Sequence, residues 1–365
     1  MKVLHIINSL QTGGAEKLLL DTIPYYVKRG IETDLLLLNG KETPFKKKLA
    51  NKKSTTVFNL GMGSVYNPIH IFKVIPYLKK YDLIHVHLFP AQYWVVFAKL
   101  LAFSKVKLVF TEHNTTNRRL ENKLYKFIDK FMYRFYDKVI CISNEIYEII
   151  KKHSKLKPEK LAVIENGVDL VNFREAQKLD ASKLINDYDS NDKIIIQIAG
   201  FRAQKDQQTL IKAMQYVPSN VKLVLVGDGV LKESCEQLVK QIKLNHKVVF
   251  LGMRNDIPQL LKTADIVVLS SKYEGLSLSS IEGMAVGKPF IASNVPGLKK
   301  VVEGAGMLFE LGNAKELASH ITKLLSNKSY YKKVAADCLE RAENYDISVM
   351  IDKHIALYKR TINEK

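Results

Sequence analysis

Three cysteines, one tryptophan and a shortage of acidic residues set the first limits on this chain of 365 residues. Cys141, Cys235 and Cys338 lie far apart, without a CxxC pair or a His/Cys cluster. That pattern argues against a disulfide framework and a zinc site, and it fits a reducing compartment. No apolar run approaches the roughly 20 residues a membrane-spanning helix needs. The opening MKVLHIINSL is a short apolar stretch that flows into a Gly-rich loop without a small-residue cleavage site, so it reads as a buried strand, not a signal peptide. GxGxxG and Walker loops are both missing, which weakens dinucleotide and P-loop assignments. Asp and Glu number 37 against 56 Lys and Arg, a net charge of +19. Such an excess attracts polyanions: nucleic acid, anionic lipid or phosphorylated substrates. No nucleic-acid motif accompanies it.

What the chain does have is a repeated alternation of short apolar runs with helical stretches. The runs are Val3–Ile7, Thr33–Leu38, Leu83–Val86, Leu108–Phe110, Lys138–Ile142 and Ala162–Ile164. A second series follows at Ile194–Ile198, Val221–Val226, Val248–Phe250, Ile266–Leu269 and Phe290–Ala292. Strands apolar on both faces and separated by helices belong to parallel sheets covered on two sides. Two series predict an α/β chain of two doubly wound domains, with ligands in the cleft where the strands' carboxyl ends meet. The expected division is residues 1–170, a polar linker at 171–192, and a second domain at 193–343. Residues 344–365 form a final helix that crosses back to the first domain.

Three motifs carry chemistry. Thr12-Gly13-Gly14-Ala15-Glu16 stands between the first strand and a leucine-rich helix, where glycine lets backbone amides approach a diphosphate. After the strand Ile194–Ile198 comes Gly200-Phe201-Arg202-Ala203-Gln204-Lys205-Asp206, in which Arg202 and Lys205 can neutralise a diphosphate. Glu274-Gly275-Leu276-Ser277-Leu278-Ser279-Ser280-Ile281-Glu282 follows Ile266–Leu269 and opens a helix. With Glu274 in the loop and Glu282 about two turns into the helix, the carboxylates reach different parts of one elongated ligand. Each can accept two hydrogen bonds from a vicinal diol, while amides around Leu276–Ser280 suit phosphate.

The Glu274–Glu282 spacing resembles the EX7E motif of retaining glycosyltransferases, and the chain as a whole resembles glycosyltransferase family 4. Gly13-Gly14-Ala15-Glu16, Thr111-Glu112-His113-Asn114, Ser143, Asn166-Gly167-Val168-Asp169 and Phe201 through Asp206 appear in the family's order. Gly227-Asp228-Gly229, Glu274–Glu282, Gly287-Lys288-Pro289 and Gly304–Phe309 complete the run. The resemblance implies the GT-B fold of two facing Rossmann-like domains, the first on the acceptor side and the second on the donor side. Carried over, Gly13 and Gly14 offer amides to the diphosphate and His113 sits near the donor sugar. Lys205 binds diphosphate, Glu274 holds sugar hydroxyls, and Glu282 binds the ribose. Gly275, Leu276, Ser279 and Ser280 complete the donor contacts. Many members carry an arginine five residues before the lysine, a place held here by Gly200. Arg202, three before Lys205, supplies charge from a different backbone position.

The implied activity is retaining, metal-independent transfer of a hexose-type sugar from a nucleotide diphosphate sugar, with no cofactor and no nucleic acid. No enzymatic nucleophile is evident, which favours front-face attack. On the acceptor side, 117–138 places Arg119, Lys123, Lys126, Lys130 and Arg134 at helical spacing, with Leu120, Leu124, Phe127, Ile128, Phe131 and Phe135 on another face. A basic amphipathic helix of this kind suits an anionic membrane surface, although its apolar stripe would equally pack on the sheet. A glycan or lipid-linked acceptor at the cytoplasmic face follows, with a surface polysaccharide as product. His85 and His87 read as packing or acceptor-side residues, since no third metal ligand accompanies the pair. The remaining alternatives are a nucleotide-sugar epimerase of the same fold and a non-catalytic binding subunit.

Overall fold

The computed structural model describes residues 1–11, 13–50, 55–113 and 123–364. It divides into two compact units, 1–167 with 347–365, and 168–346. The first contains β1 (Lys2–Ile7), β2 (Glu32–Leu37), β3 (Val57–Asn59), β4 (Leu83–His87), β5 (Lys107–Glu112), β6 (Lys138–Cys141) and β7 (Leu161–Val163). These pair in parallel in the order β3-β2-β1-β4-β5-β6-β7. The second contains β8 (Lys193–Ile198), β9 (Val221–Val226), β10 (Val248–Gly252), β11 (Ile266–Leu269), β12 (Phe290–Ser293) and β13 (Met307–Phe309). Its order, β10-β9-β8-β11-β12-β13, is the doubly wound arrangement.

Central strands are buried along nearly their whole length because helices cover both faces. In the first unit, alternation divides the side chains cleanly. Leu4, Ile6, Ile84, Val86, Leu108 and Phe110 fill one face. Val3, Leu83, Val109 and Ile140 meet the helix Ile347–Asn363 on the other, through its Ile347, Met350, Ile351 and Tyr358. That apolar packing places the C-terminal helix in the first unit.

The second core takes in Leu170, Phe173 and Ile185. Residues 171–192, expected to be a linker, therefore belong to the second unit's body. A helix at Leu170–Arg174 and a single turn at Ala181–Lys183 hold these scattered apolar anchors, which a polar composition concealed. All three cysteines are buried and unbridged. Among the described residues, no helix is long and apolar enough to cross a membrane.

Candidate functional site

Both sheets reverse their strand order at the centre, between β1 and β4 in one and between β8 and β11 in the other. The carboxyl ends of the strands at such a reversal form the natural binding crevice of a doubly wound sheet. Lys205 and Glu274 emerge from the ends of β8 and β11, and the Lys205 ammonium is ion-paired to Glu274 Oε1. The two side chains are only 19% and 8% exposed, so the pair is poorly screened by solvent.

Several contacts hold the loops that carry this pair. Ser270 Oγ, just past β11, contacts the carbonyls of Lys205 at 3.1 Å and Asp206 at 2.9 Å, and Gln197 Oε1 at 3.0 Å. Gln197 Nε2 also donates to the Lys205 carbonyl, at 3.1 Å. The Lys272 amide donates to the Gln204 carbonyl at 2.7 Å, and Gln204 Nε2 to the Tyr273 carbonyl at 2.9 Å. Gly297 opens the helix Pro296–Val302 directly against the carbonyls of Glu274 and Gly275, where any Cβ would collide with backbone. Gly229 has φ +152°, and a Cβ there would lie 2.5 Å from the Phe201 carbonyl. Gln197, Gln204, Ser270 and Gly297 escaped the sequence reading. Most of their roles depend on contacts between segments distant along the chain, as with the 69 residues separating Gln204 from Tyr273.

The remaining predicted residues fall into place unequally. Glu282 is the fifth residue of the helix Leu278–Ala285, so it lies little more than one turn in, not two, and is 6% exposed. Leu276 is buried, while Gly275 and Ser279 are half-buried. Ser280, predicted to contact phosphate, lies in the first turn of that helix. It is fully buried, its hydroxyl donates to the Ser277 carbonyl at 2.7 Å, and its amide turns to the same oxygen at 3.2 Å. A serine in the first turn commonly satisfies the local backbone in this way. Arg202 is exposed.

Gly13, Gly14 and His113 belong to the first unit. Gly13 is the extended residue before the helix Gly14–Lys28, and a Cβ at Gly14 would meet nothing within 4 Å. Glu16 follows in the first turn, its carboxyl raised above the ordinary range by burial. Thr12, Asn114, Arg119 and Leu120 lie outside the described residues, as do the side chains of Lys123 and Leu124.

His113, half-buried just beyond β5, leads into a group of imidazoles. His113 Nε2 lies 3.2 Å from His87 Nδ1, and His87 Nε2 lies 3.1 Å from His5 Nδ1. His85 pairs with the Tyr358 hydroxyl at 2.5 Å and Thr111 Oγ1 at 2.6 Å. Tyr26 meets His354 Nδ1 at 2.5 Å. Burial lowers His5 and His354 to about 3 and His113 to about 4, and holds His85 and His87 well below the usual histidine value. The cluster is uncharged at neutral pH. Its sequence pair His85 and His87 does gain a third imidazole, His5, with ring nitrogens of the three within 4.8 Å of one another. Of their nitrogens, however, only His5 Nε2 is not already hydrogen-bonded. The arrangement is suited to holding neutral rings in place. A cavity of about 10 Å³, lined in part by His5, Thr22, His87 and His113, adjoins them.

The helix Lys123–Tyr133 divides the apolar stripe read from the sequence, with Ile128 packed on the core. Its buried side carries Asp129, Met132 and Tyr133, whereas Phe127 is 73% and Phe131 43% exposed. Asp129 helps to fix the inward face: it is fully buried, Tyr93 donates to it at 2.8 Å, and His153 Nε2 lies 3.0 Å away.

Comparison with known proteins agrees with this geometry. The profile of Glycosyltransferase Family 4 matches residues 12–172, and that of Glycosyl transferases group 1 matches 180–344. The chain belongs to glycosyltransferase family 4. As a family 4 glycosyltransferase of GT-B fold, it is 29% identical over 304 residues to an Escherichia coli UDP-Gal:alpha-D-GlcNAc-diphosphoundecaprenol alpha-1,3-galactosyltransferase, covering 80% of this chain and 78% of that one. It is also 29% identical to the Bacillus anthracis N-acetyl-alpha-D-glucosaminyl L-malate synthase, over 76% of this chain and 74% of the other. Among solved structures, Anabaena HepE in complex with UDP-glucose superposes with TM-score 0.83 at 25% identity, covering 99% and 100% of the two chains.

Proposed function

We propose that this glycosyltransferase is a retaining, metal-independent hexosyltransferase that moves a sugar from a nucleotide diphosphate donor to a lipid-linked glycan. The observation that carries the reading is the Lys205–Glu274 pair at the β8/β11 reversal, with Glu282 on the helix that follows. Lys205 takes the donor diphosphate and stabilises the leaving group, in place of a cation. Glu274 accepts hydrogen bonds from sugar hydroxyls and Glu282 from the ribose diol. Arg202, Gly275, Leu276 and Ser279 supply further donor contacts, and the Gly13 and Gly14 amides serve the diphosphate. His113 contacts the sugar. The acceptor oxygen bonds to the anomeric carbon as its bond to the diphosphate oxygen breaks, and the acceptor proton passes to that departing oxygen on the same face.

HepE, solved with UDP-glucose, supports a uridine nucleotide donor. The E. coli relative's diphosphoundecaprenol acceptor supports a lipid-linked one. The outward side of Lys123–Tyr133 fits a peripheral position at the cytoplasmic membrane face. Exposed Phe127 stands with Lys126, Lys130, Lys152 and Lys155 around a cavity of 540 Å³. Apolar insertion together with lysines near anionic lipid is how an interfacial helix binds. The B. anthracis relative favours a second reading, a small soluble carboxylate acceptor.

The test supplies the purified enzyme with UDP-hexoses and either a polyprenyl-diphosphate glycan or malate, with and without EDTA. Our reading predicts an organic-extractable product whose anomeric configuration matches the donor, formed equally in EDTA. An inverted linkage, EDTA inhibition or isomerisation of donor alone would contradict it, and an aqueous malate glycoside would select the second reading. Sedimentation with anionic vesicles at low salt tests the membrane surface: an enzyme that stays in the supernatant rules it out.

A further inference from the structure

Resting on the role given to His113, we propose that the buried chain His5–His87–His113 locks His113 in its Nδ1–H tautomer, making it a hydrogen-bond donor to substrate and not a general base. His87 is thereby a positioning residue.

The argument begins with the strands. His5, His85 and His87 share one face with Thr111, because alternate residues of β1, β4 and β5 point the same way. Rings that belong to adjacent strands stand close, with centroids of His5 and His87 5.4 Å apart and those of His87 and His113 5.5 Å apart. Burial keeps all three neutral at physiological pH. A neutral imidazole has one N–H donor and one lone-pair acceptor. Two successive N···N contacts of 3.1 and 3.2 Å therefore form a directional chain, in which the tautomer at one end dictates that at the other.

The direction is set at the His5 end. His5 Nε2 is buried without a hydrogen-bond partner. An orphaned buried N–H is rarer in proteins than an under-used acceptor. Placing the bare lone pair there puts the proton on His5 Nδ1, which donates to His87 Nε2. His87 Nδ1–H then donates to His113 Nε2. The remaining His113 proton must sit on Nδ1, the nitrogen not held by the chain. Free histidine in water favours the opposite, Nε2–H form, so the chain imposes a form the side chain would not adopt unaided. An Nδ1–H group can hold a hydroxyl or phosphate oxygen. It cannot remove the acceptor's proton, in keeping with the leaving group as the base.

The test uses the full-length enzyme with ¹⁵N-labelled histidine, reading tautomers from long-range ¹H–¹⁵N correlations at pH 7 without substrate. Wild type should show His113 as Nδ1–H. His87→Asn keeps an amide donor where Nδ1 stood and should preserve that signal. His87→Leu removes the donor and should move His113 to Nε2–H, with kcat falling roughly tenfold and donor KM changing less. His113 as Nε2–H in wild type would mean the reversed chain, with an N–H of His5 facing the cavity, and would overturn the proposal. So would an unchanged Nδ1–H signal in a folded His87→Leu enzyme. Because the spectra need no turnover, an enzyme inactive on every sugar nucleotide would refute the proposed function while leaving the tautomer result readable.

Discussion

The two units share a strand order about their centre yet furnish it with opposite chemistry. Beside β8 and β11 stands a charged pair, Lys205 and Glu274, held by backbone contacts from Gln197 and Ser270. Beside β1 and β4 stand neutral imidazoles and tyrosines, among them His5, His85, His87, Tyr26 and Tyr358. One topology thus carries a poorly exposed ion pair in one place and an uncharged hydrogen-bond network in the other. The fold decides where a site forms, and the side chains at strand ends decide what it does.

Acid should separate the units most strongly. The first unit's buried histidines have folded-state values of about 3 to 4, below the ordinary 6.5. Their stabilising contribution is therefore complete above pH 6.5, where folded and unfolded chains are both unprotonated. As pH falls below that, the unfolded chain takes up protons that the folded one refuses, and stability drops until about pH 3 to 4. Each such group contributes a slope of about 1.4 kcal/mol per pH unit. Hydrogen exchange of the intact chain, corrected for intrinsic rates, should show β1 and β4 losing protection by several kcal/mol between pH 7 and pH 5. Strands β8 and β11 should change less; parallel loss in both sheets would break the contrast.

A smaller effect is expected from Lys205→Ala. Removing a preorganised charge at a leaving group costs about 10²–10³-fold in kcat. Steady-state kinetics with the preferred donor checks this, and a kcat within twofold of wild type would remove Lys205 from the mechanism. Smaller still is Tyr358→Phe in the first unit. It leaves His85 Nδ1 buried without its partner, at a cost of about 1–3 kcal/mol in stability. Chemical denaturation should report that loss while donor KM stays near wild type. A large rise in KM instead would give the neutral network a direct part in donor binding.

Most of this architecture was legible in the chain. The buried parallel strands announced themselves as apolar runs, and the two missed, β3 and β13, are three-residue strands at sheet edges. Three residues carry little periodicity, and the equally short edge strand β7 registered only through the apolar run Ala162–Ile164. The acidic motif located Glu274 and Glu282, yet nothing local tied Glu274 to Lys205, because their pairing depends on β8 and β11 lying side by side. The bond from the Ser280 hydroxyl to the Ser277 carbonyl was likewise not legible in the motif. The spacing of Phe127 and Phe131 left open whether they face the sheet or the outside; the structure exposes both, beside a buried Asp129 held by Tyr93 and His153. A polar anchor of that kind depends on partners from other helices.

The division of labour between Glu274 and Glu282 is most directly tested by calorimetric titration of UDP and UDP-glucose into wild type, Glu274→Gln and Glu282→Gln. Glu282→Gln should weaken both ligands, since both carry the ribose. Glu274→Gln should weaken UDP-glucose relative to UDP, since only the former carries the sugar. Equal affinity of all three proteins for both ligands would contradict the assignment of the donor to this element.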